Sequence, residues 1–212
     1  ASSRIARWDG SSWSALGSGI DNTAQALAVY DDGSGPALYA AGIFADAGGV
    51  AASRIARWDG STWSALGSGL STGGGGSASA LALAVYDAGG GPALHVGGSF
   101  TTAGGIVASR LAIWDGSSWS AHASGLNQTV TAMTVFDDGG GEALYAGGVF
   151  TGAGGLGVNQ IARWDGSSWS ALGTGVAGSS VGALAVYDDG SGAALYAAGL
   201  LFEAGGVPVD MN

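Results

Sequence analysis

The chain contains no cysteine and no lysine among its 212 residues. Without cysteine it can hold no disulfide, no thiol nucleophile and no cysteine–zinc site. Its six positively charged side chains are all arginines, and they stand against 16 acidic residues, for a net charge of -10. This balance excludes the basic footprint that nucleic-acid binding needs, and it disfavours anionic membrane surfaces.

Long apolar runs are absent as well. No stretch reaches the roughly 18 apolar residues of a membrane-spanning helix, so we predict no membrane insertion. No charged segment followed by an apolar one, as in a secretory leader, begins at Ala1. We therefore expect that a leader has been removed or that the chain is an excerpt of a longer protein.

Glycine and repetition are what the sequence has in excess, with 43 glycines and four copies of one stretch. The first copy reads "SRIARWDGSSWSALGSG", and the fourth reads "NQIARWDGSSWSALGTG". The leading tryptophans of the copies are spaced by 50, 56 and 50 residues, and the six extra residues fall in the glycine-rich segment 71–80. We predict a single repeat domain over residues 1–212. Its phase is marked by Trp8, Trp58, Trp114 and Trp164.

Each repeat holds four short apolar runs, which in the first copy are "RIARW", "SWSAL", "ALAVY" and "ALYAAGIF". The runs are too short for typical helices, and the Asp-Gly clusters between them supply turn residues that tolerate positive φ. Each repeat is therefore predicted to be a four-stranded antiparallel meander. In "ALAVY" and "ALYAAGIF" both strand faces are apolar, which indicates a sheet covered on both sides. Small sheets stacked against copies of themselves are typical of a β-propeller.

The order of these strands resembles the kelch-like β-propeller repeats of secreted bacterial proteins. A Gly-Gly pair closes the second strand in the second and third copies, although the first and fourth copies have Ala-Gly there. Paired aromatics lie on the outer two strands, and the kelch period is about 50 residues. The chain departs from kelch in having tryptophan where tyrosine is usual on the third strand. The resemblance implies an all-β propeller of four kelch-like blades, a secreted or cell-surface location, and a binding or scaffold role.

The repeat phase predicts how the end strands are used. The chain opens at the third strand of a blade and stops after the second strand of another. We expect the terminal blade to be completed by strands from both chain ends, which would close a four-bladed ring. The alternative is that two chains form an eight-bladed ring. Unpaired strand edges recruit further strands, so copies of the chain itself are the expected partner.

Histidine and tryptophan are the two residue types with a possible functional interpretation. His95 and His122 replace repeat residues that are tyrosine and leucine elsewhere, and they lie on different strand types. We interpret them as drift within the repeat and predict no catalytic residue and no cofactor-binding residue. Trp8 and Trp13 are expected to pack between neighbouring blades, with carbohydrate stacking as the alternative.

Acidic residues concentrate in two turns of each repeat, which hold eleven of the fourteen aspartates. The first and third turns of a meander project from the same end, so we predict one acidic rim, with Arg4, Arg54 and Arg110 at the opposite end. Such a rim is a candidate for binding calcium, and the sequence predicts no other cofactor. The candidate ligands are Asp31, Asp32, Asp137, Asp138, Asp188 and Asp189. Asn127 opens the chain's one N-glycosylation sequon.

These observations predict a non-enzymatic extracellular structural protein whose units self-assemble into a fibre, a ring or a surface layer. A secreted propeller module that binds a glycan or a protein ligand is the alternative. The oxidase or lyase chemistry of some kelch-like proteins would require a cysteine, tyrosine and histidine constellation that this sequence lacks.

Overall fold

A computed structural model describes residues 4–122 and 124–209. The flanking residues 1–3 and 210–212 lie outside the described residues, as does Ala123. The described chain is built from β-strands in small antiparallel sheets and contains no helix, which confirms the all-β class. It follows that no helix in these ranges is long and apolar enough to cross a membrane.

Three four-stranded sheets form the centre of the molecule, and each keeps its strands in sequence order, as predicted. They follow a two-stranded front hairpin of β1 (Ala6–Trp8) and β2 (Trp13–Ala15). Unit one contains β3 (Ala24–Asp31), β4 (Pro36–Gly42), β7 (Ile55–Trp58) and β8 (Trp63–Ala65). Unit two contains β10 (Ala80–Asp87), β11 (Pro92–Gly98), β14 (Leu111–Trp114) and β15 (Trp119–Ala121). Unit three contains β16 (Val130–Asp137), β17 (Glu142–Gly148), β20 (Ile161–Trp164) and β21 (Trp169–Ala171).

A three-stranded last sheet follows unit three, made of β22 (Val176–Asp188), β23 (Ala193–Ala204) and β24 (Val207–Pro208). Very short strands pair beside the link between the second and third strands of each unit. They are β5 (Asp46–Ala47) with β6 (Val50–Ala51), β12 (Thr102–Ala103) with β9 (Leu70–Ser71) and β13 (Ile106–Val107), and β18 (Gly152–Ala153) with β19 (Leu156–Gly157).

The front hairpin and the last sheet stay separate. Between residues 4 and 209, apart from Ala123, no strand pairing joins β1 to β23. The described strands therefore do not form the four-stranded blade expected from both chain ends, and they do not close into a ring of sheets.

Aspartate-capped turns set the register of each meander. In the turn after β3, Asp31 Oδ1 accepts hydrogen bonds from the N–H groups of Gly33 and Gly35 at 2.9 and 3.0 Å. Both glycines have positive φ, 91° and 105°, a backbone region that side chains with a Cβ rarely adopt. The repeated Asp and Gly residues are thus explained by local turn geometry.

Consecutive units pack face to face, and residue alternation along β10 shows how. Ala84 and Tyr86 belong to the core shared with unit three, whereas Leu83 and Val85 pack against the core shared with unit one. Side chains along a strand point alternately to its two faces, so one strand serves two neighbours. Gly97 permits the close approach, because a Cβ placed there would lie 2.7 Å from Cγ1 of Val130.

We call the contact between units one and two the first seam, that between units two and three the second seam, and that between unit three and the last sheet the third seam. The first and second seams hold the two largest buried clusters among the described residues.

Candidate functional site

The acidic turns meet at one end of the stack of sheets. A Cβ built on Gly116, in the β14–β15 turn, would lie 2.6 Å from the Asp32 Cβ in the β3–β4 turn. The two kinds of acidic turn therefore abut across the first seam, which confirms the predicted rim. Arg54 lies at the other end of its sheet, where its Nη1 donates to the carbonyl of Phe44 at 2.9 Å, beyond the end of β4.

Most rim aspartates are occupied by their own turns. Asp59 Oδ1 accepts from the backbone N–H groups of Ser61 and Thr62, both at 2.8 Å. These backbone donors lower the pKa of the carboxyl group, since they stabilise its ionised form. The same holds for Asp9, Asp115 and Asp165.

The six candidate calcium ligands fall into two sets of three. Asp31, Asp137 and Asp188 each cap two glycine N–H groups of their own turn. The second set, Asp32, Asp138 and Asp189, accepts hydrogen bonds from the residue two positions further on. Within the described ranges, no three His, Asp or Glu side chains converge closely enough to hold a metal ion. Calcium binding at the rim stays a prediction.

The second set also contributes to an Asp–Tyr–Arg cluster that ties three strands together. In unit one, Arg57 Nε lies 3.1 Å from Asp32 Oδ2, and the Tyr39 hydroxyl donates to the same oxygen at 3.1 Å. Burial raises the pKa of Tyr39 to about 12, and the negative charge of Asp32 adds to this effect. Unit three repeats the arrangement with Asp138, Tyr145 and Arg163.

The signal for this cluster is present in the sequence and emerges when the repeats are compared position by position. Unit two lacks all three members and has Ala88, His95 and Ile113 in their places. The last sheet has the first two members, Asp189 and Tyr196, and no arginine strand beside them. The three residues occur together in units one and three and are all replaced in unit two. This joint pattern indicates from sequence alone that they contact one another.

The replacement in unit two brings both histidines together in the second seam, which corrects the interpretation that they share no site. The ring centroids of His95 and His122 lie 5.3 Å apart, and His122 lies 4.6 Å from Trp164 and 5.2 Å from Trp169. Each histidine is 1% exposed. His122 directly follows the last residue of β15, and its ring reaches both His95 of unit two and the tryptophans of unit three, so residues on different strand types meet.

The histidine pair is poorly hydrogen-bonded. Considering the described residues, Nδ1 of His95, both ring nitrogens of His122 and Nε1 of Trp169 have no hydrogen-bond partner. Burial lowers the pKa of His95 to about 4 and that of His122 to about 3. The pair is therefore neutral near pH 7, and no substrate has access to it.

The tryptophan pairs confirm the packing prediction inside the molecule and contradict it at the front hairpin. Trp63 is 5% exposed, and its Nε1 donates to the carbonyl of Leu16 at 3.0 Å. Trp119 donates in the same way to Leu66 at 2.8 Å. In the front hairpin, Trp13 is 69% exposed, because no unit precedes it in the described chain.

Both ends of the stack expose apolar side chains, and the internal counterparts of the tyrosines and tryptophans among them are mostly buried. The front end presents Trp8, Trp13, Leu27 and Val29, and the rear end presents Tyr187, Tyr196, Leu200 and Phe202. Tyr187 is 60% exposed, whereas its counterpart Tyr30 is 4% exposed. Unlike scattered surface residues, an apolar patch of this extent indicates an interaction surface.

Asn127, the glycosylation candidate, is exposed but holds a loop. Its Oδ1 accepts from the N–H groups of Thr151 and Gly152, and its Nδ2 donates to the Thr151 hydroxyl at 3.1 Å. Asp21 bridges the corresponding segments of unit one. The side chain therefore has a structural role, and its glycosylation stays a prediction.

No protein-family model, curated protein or solved structure matches this chain. The site must therefore be judged from its own geometry.

Proposed function

We propose that this protein is a non-enzymatic extracellular structural protein whose repeat units self-assemble into a fibre, a ring or a surface layer. The observation that carries the proposal is the pair of apolar end faces described above. Each face corresponds to one side of an internal seam, so the two faces match each other. Burying them removes about 25 cal/mol per Å² of apolar surface from water.

The geometry of the rest of the molecule supports a structural role. In the described part of the chain, both histidines are buried among aromatic rings, and the rim aspartates cap their own turns. Neither group is placed to act as a general base on a bound substrate. What the fold offers instead is repeated packing.

Kelch-like propeller closure is one form that the assembly can take. A chain that brings its own end faces together makes a four-bladed ring, and two chains joined twice make an eight-bladed ring. A contact whose rotation does not close generates a filament. All three forms bury the same end faces.

Analytical ultracentrifugation from micromolar to millimolar chain concentration, followed by electron microscopy, tests the proposal. We expect discrete rings or polymers whose fraction rises with concentration. A chain that stays monomeric across the whole range, whether open or closed on itself, would overturn it.

One observation favours the alternative of a glycan- or protein-binding module. The exposed rings of Trp8 and Trp13 lie 5.4 Å apart at 46°, and indole faces can stack on sugars. Titration with soluble oligosaccharides, followed by tryptophan fluorescence, tests it. A saturable change that Trp13→Ala abolishes in monomeric chain would favour this module, and no change would exclude glycan stacking.

A further inference from the structure

An apolar groove, which we call the rear groove, lies at the third seam beside the unpaired edge of β23. It is lined by Ile161, Leu172, Leu195 and Ala197, and Gly205 closes it. At the first seam, the residues at these repeat positions form the core that receives Trp114 and Trp119.

A glycine at the repeat position of Gly205 contacts a tryptophan in each of the three units. A Cβ built on Gly48, Gly104 or Gly154 would lie 2.5, 2.3 or 2.6 Å from the Cδ1 atom of a tryptophan of the same unit. Gly205 is the fourth member of this series, and a Cβ there would meet no atom within 4 Å. In three repeats a tryptophan thus packs against this glycine, whereas in the last sheet no side chain covers Gly205. The front hairpin, in turn, has an exposed tryptophan pair.

The strand edges beside the groove are complementary as well. In unit one, β4 pairs with β7 in the register Leu38↔Trp58, Tyr39↔Arg57 and Ala40↔Ala56. At the corresponding edge of β23, residues 193–199 pair only with β22 among the described strands. The repeat equivalence gives the register that β1 of a second chain would adopt there. It is Leu195↔Trp8, Tyr196↔Arg7 and Ala197↔Ala6.

The charges of Arg7 and Asp189 favour the same register. Asp189 and Tyr196 are two members of an Asp–Tyr–Arg cluster, and Asp189 Oδ2 has no partner in the described chain. Arg7 stands at the repeat position of Arg57 and Arg163, and in residues 4–122 and 124–209 it makes no ion pair or side-chain hydrogen bond. Pairing in this register places the unpaired Arg7 guanidinium beside the unpaired Oδ2 of Asp189.

We infer that the front hairpin of one copy adds to the β23 edge of another. It completes a four-stranded sheet across two chains, with Trp8 and Trp13 in the rear groove and Arg7 on Asp189. This inference rests on the proposed self-assembly and specifies its contact. The partner is a second copy of this chain, bound head to tail by strand addition.

Cysteine pairs test the contact cleanly, because the natural chain contains no cysteine. Chains carrying Ala6→Cys and chains carrying Ala197→Cys are mixed, oxidised and examined by non-reducing electrophoresis and peptide mass analysis. We expect a disulfide that joins position 6 of one chain to position 197 of another. Ser14→Cys, on the far strand of the same hairpin, is the matched control and should not link to the Ala197→Cys chain. A double variant, with Ala6→Cys and Ala197→Cys in one chain, that yields only an internally linked monomer would overturn the inference in favour of ring closure.

Charge variants give an independent test by ultracentrifugation. Arg7→Glu and Asp189→Arg should each weaken association by about tenfold or more, and the two changes in one chain should restore it. Arg7→Gln should weaken association without lowering the melting temperature of the dilute monomer. Arg163→Gln, in the internal cluster, should lower the melting temperature of the dilute monomer without weakening association.

The results separate the two proposals. If the chain assembles but Arg7→Glu has no effect and no disulfide forms between positions 6 and 197, this contact is wrong while self-assembly stands. If no oligomer forms at any concentration, the proposed function fails and this inference fails with it.

Discussion

The first and second seams are formed by equivalent strands of the repeat, but the polar side chains that they bury are different. The first seam contains the Tyr39–Asp32–Arg57 cluster and a tryptophan whose indole N–H donates to a carbonyl. The second seam replaces the cluster with two buried imidazoles, and several of its ring nitrogens have no partner in the described chain. A repeat can therefore keep its shape while the polar groups at its contacts are lost. We expect the second seam to be the weaker one.

Acid should produce the largest difference between the seams. The unfolded chain binds protons at both histidines below about pH 6.5, whereas burial keeps the folded pKa values at about 4 and about 3. The free energy of unfolding therefore falls as the pH is lowered through this window, by about 2–3 kcal/mol per histidine between pH 7 and pH 4.5.

Urea unfolding at several pH values checks this expectation against a His95→Phe/His122→Leu variant. The carboxylates titrate in both proteins, so the difference in slope reports the histidines. Equal slopes would contradict a neutral buried pair.

Removal of seam tryptophans should have the next largest effect. Trp119→Ala should lower the free energy of unfolding by about 3–5 kcal/mol, the usual range for a buried large aromatic. Trp169→Ala should cost about 1 kcal/mol less, because Trp169 lacks the hydrogen bond that Trp119 donates. Trp13→Ala, in dilute monomeric chain, is the control and should change stability by about 0.5 kcal/mol or less. A large loss for Trp13→Ala would mean that the front hairpin packs within the chain.

Loss of a single hydroxyl should have a smaller effect. Tyr39→Phe removes a hydrogen bond to a partly buried carboxylate in the first seam and should cost about 1–2 kcal/mol. Tyr196→Phe is the matched control in monomeric chain, since the Tyr196 hydroxyl makes no hydrogen bond within the described residues. Thermal unfolding of both variants provides the measurement, and equal losses would show that the cluster contributes no stability.

Divalent cations should have the smallest effect and should not distinguish the seams. Screening of the rim aspartates should raise the melting temperature slightly and equally with calcium and magnesium. Sodium chloride at matched ionic strength is the control. A rise specific to calcium, lost on adding chelator, would instead indicate a built site.

The sequence predicted whatever depends on neighbours within one repeat. Strand order, the Asp-capped turns and the shared acidic rim follow from local spacing, and the structure confirms them. The contact of His95 with His122 depends on how side chains pack in the second seam. Spacing along the chain does not encode this packing. The exposure of Trp13 is also non-local, because the same residues are buried wherever another unit precedes them.

The glycine-rich loop 72–79 has a consequence for how this architecture can change. It lengthens the link between β9 and β10 by six residues relative to the other repeats, yet units one and two pack as units two and three do. Within it, Thr72 Oγ1 donates to the Gly76 carbonyl, and a Cβ on Gly75 would meet no atom within 4 Å. Loop closure entropy grows only slowly with length, so further residues would cost little. The packing of consecutive units thus tolerates a longer connection between them, and this loop is a natural position for inserting foreign sequence.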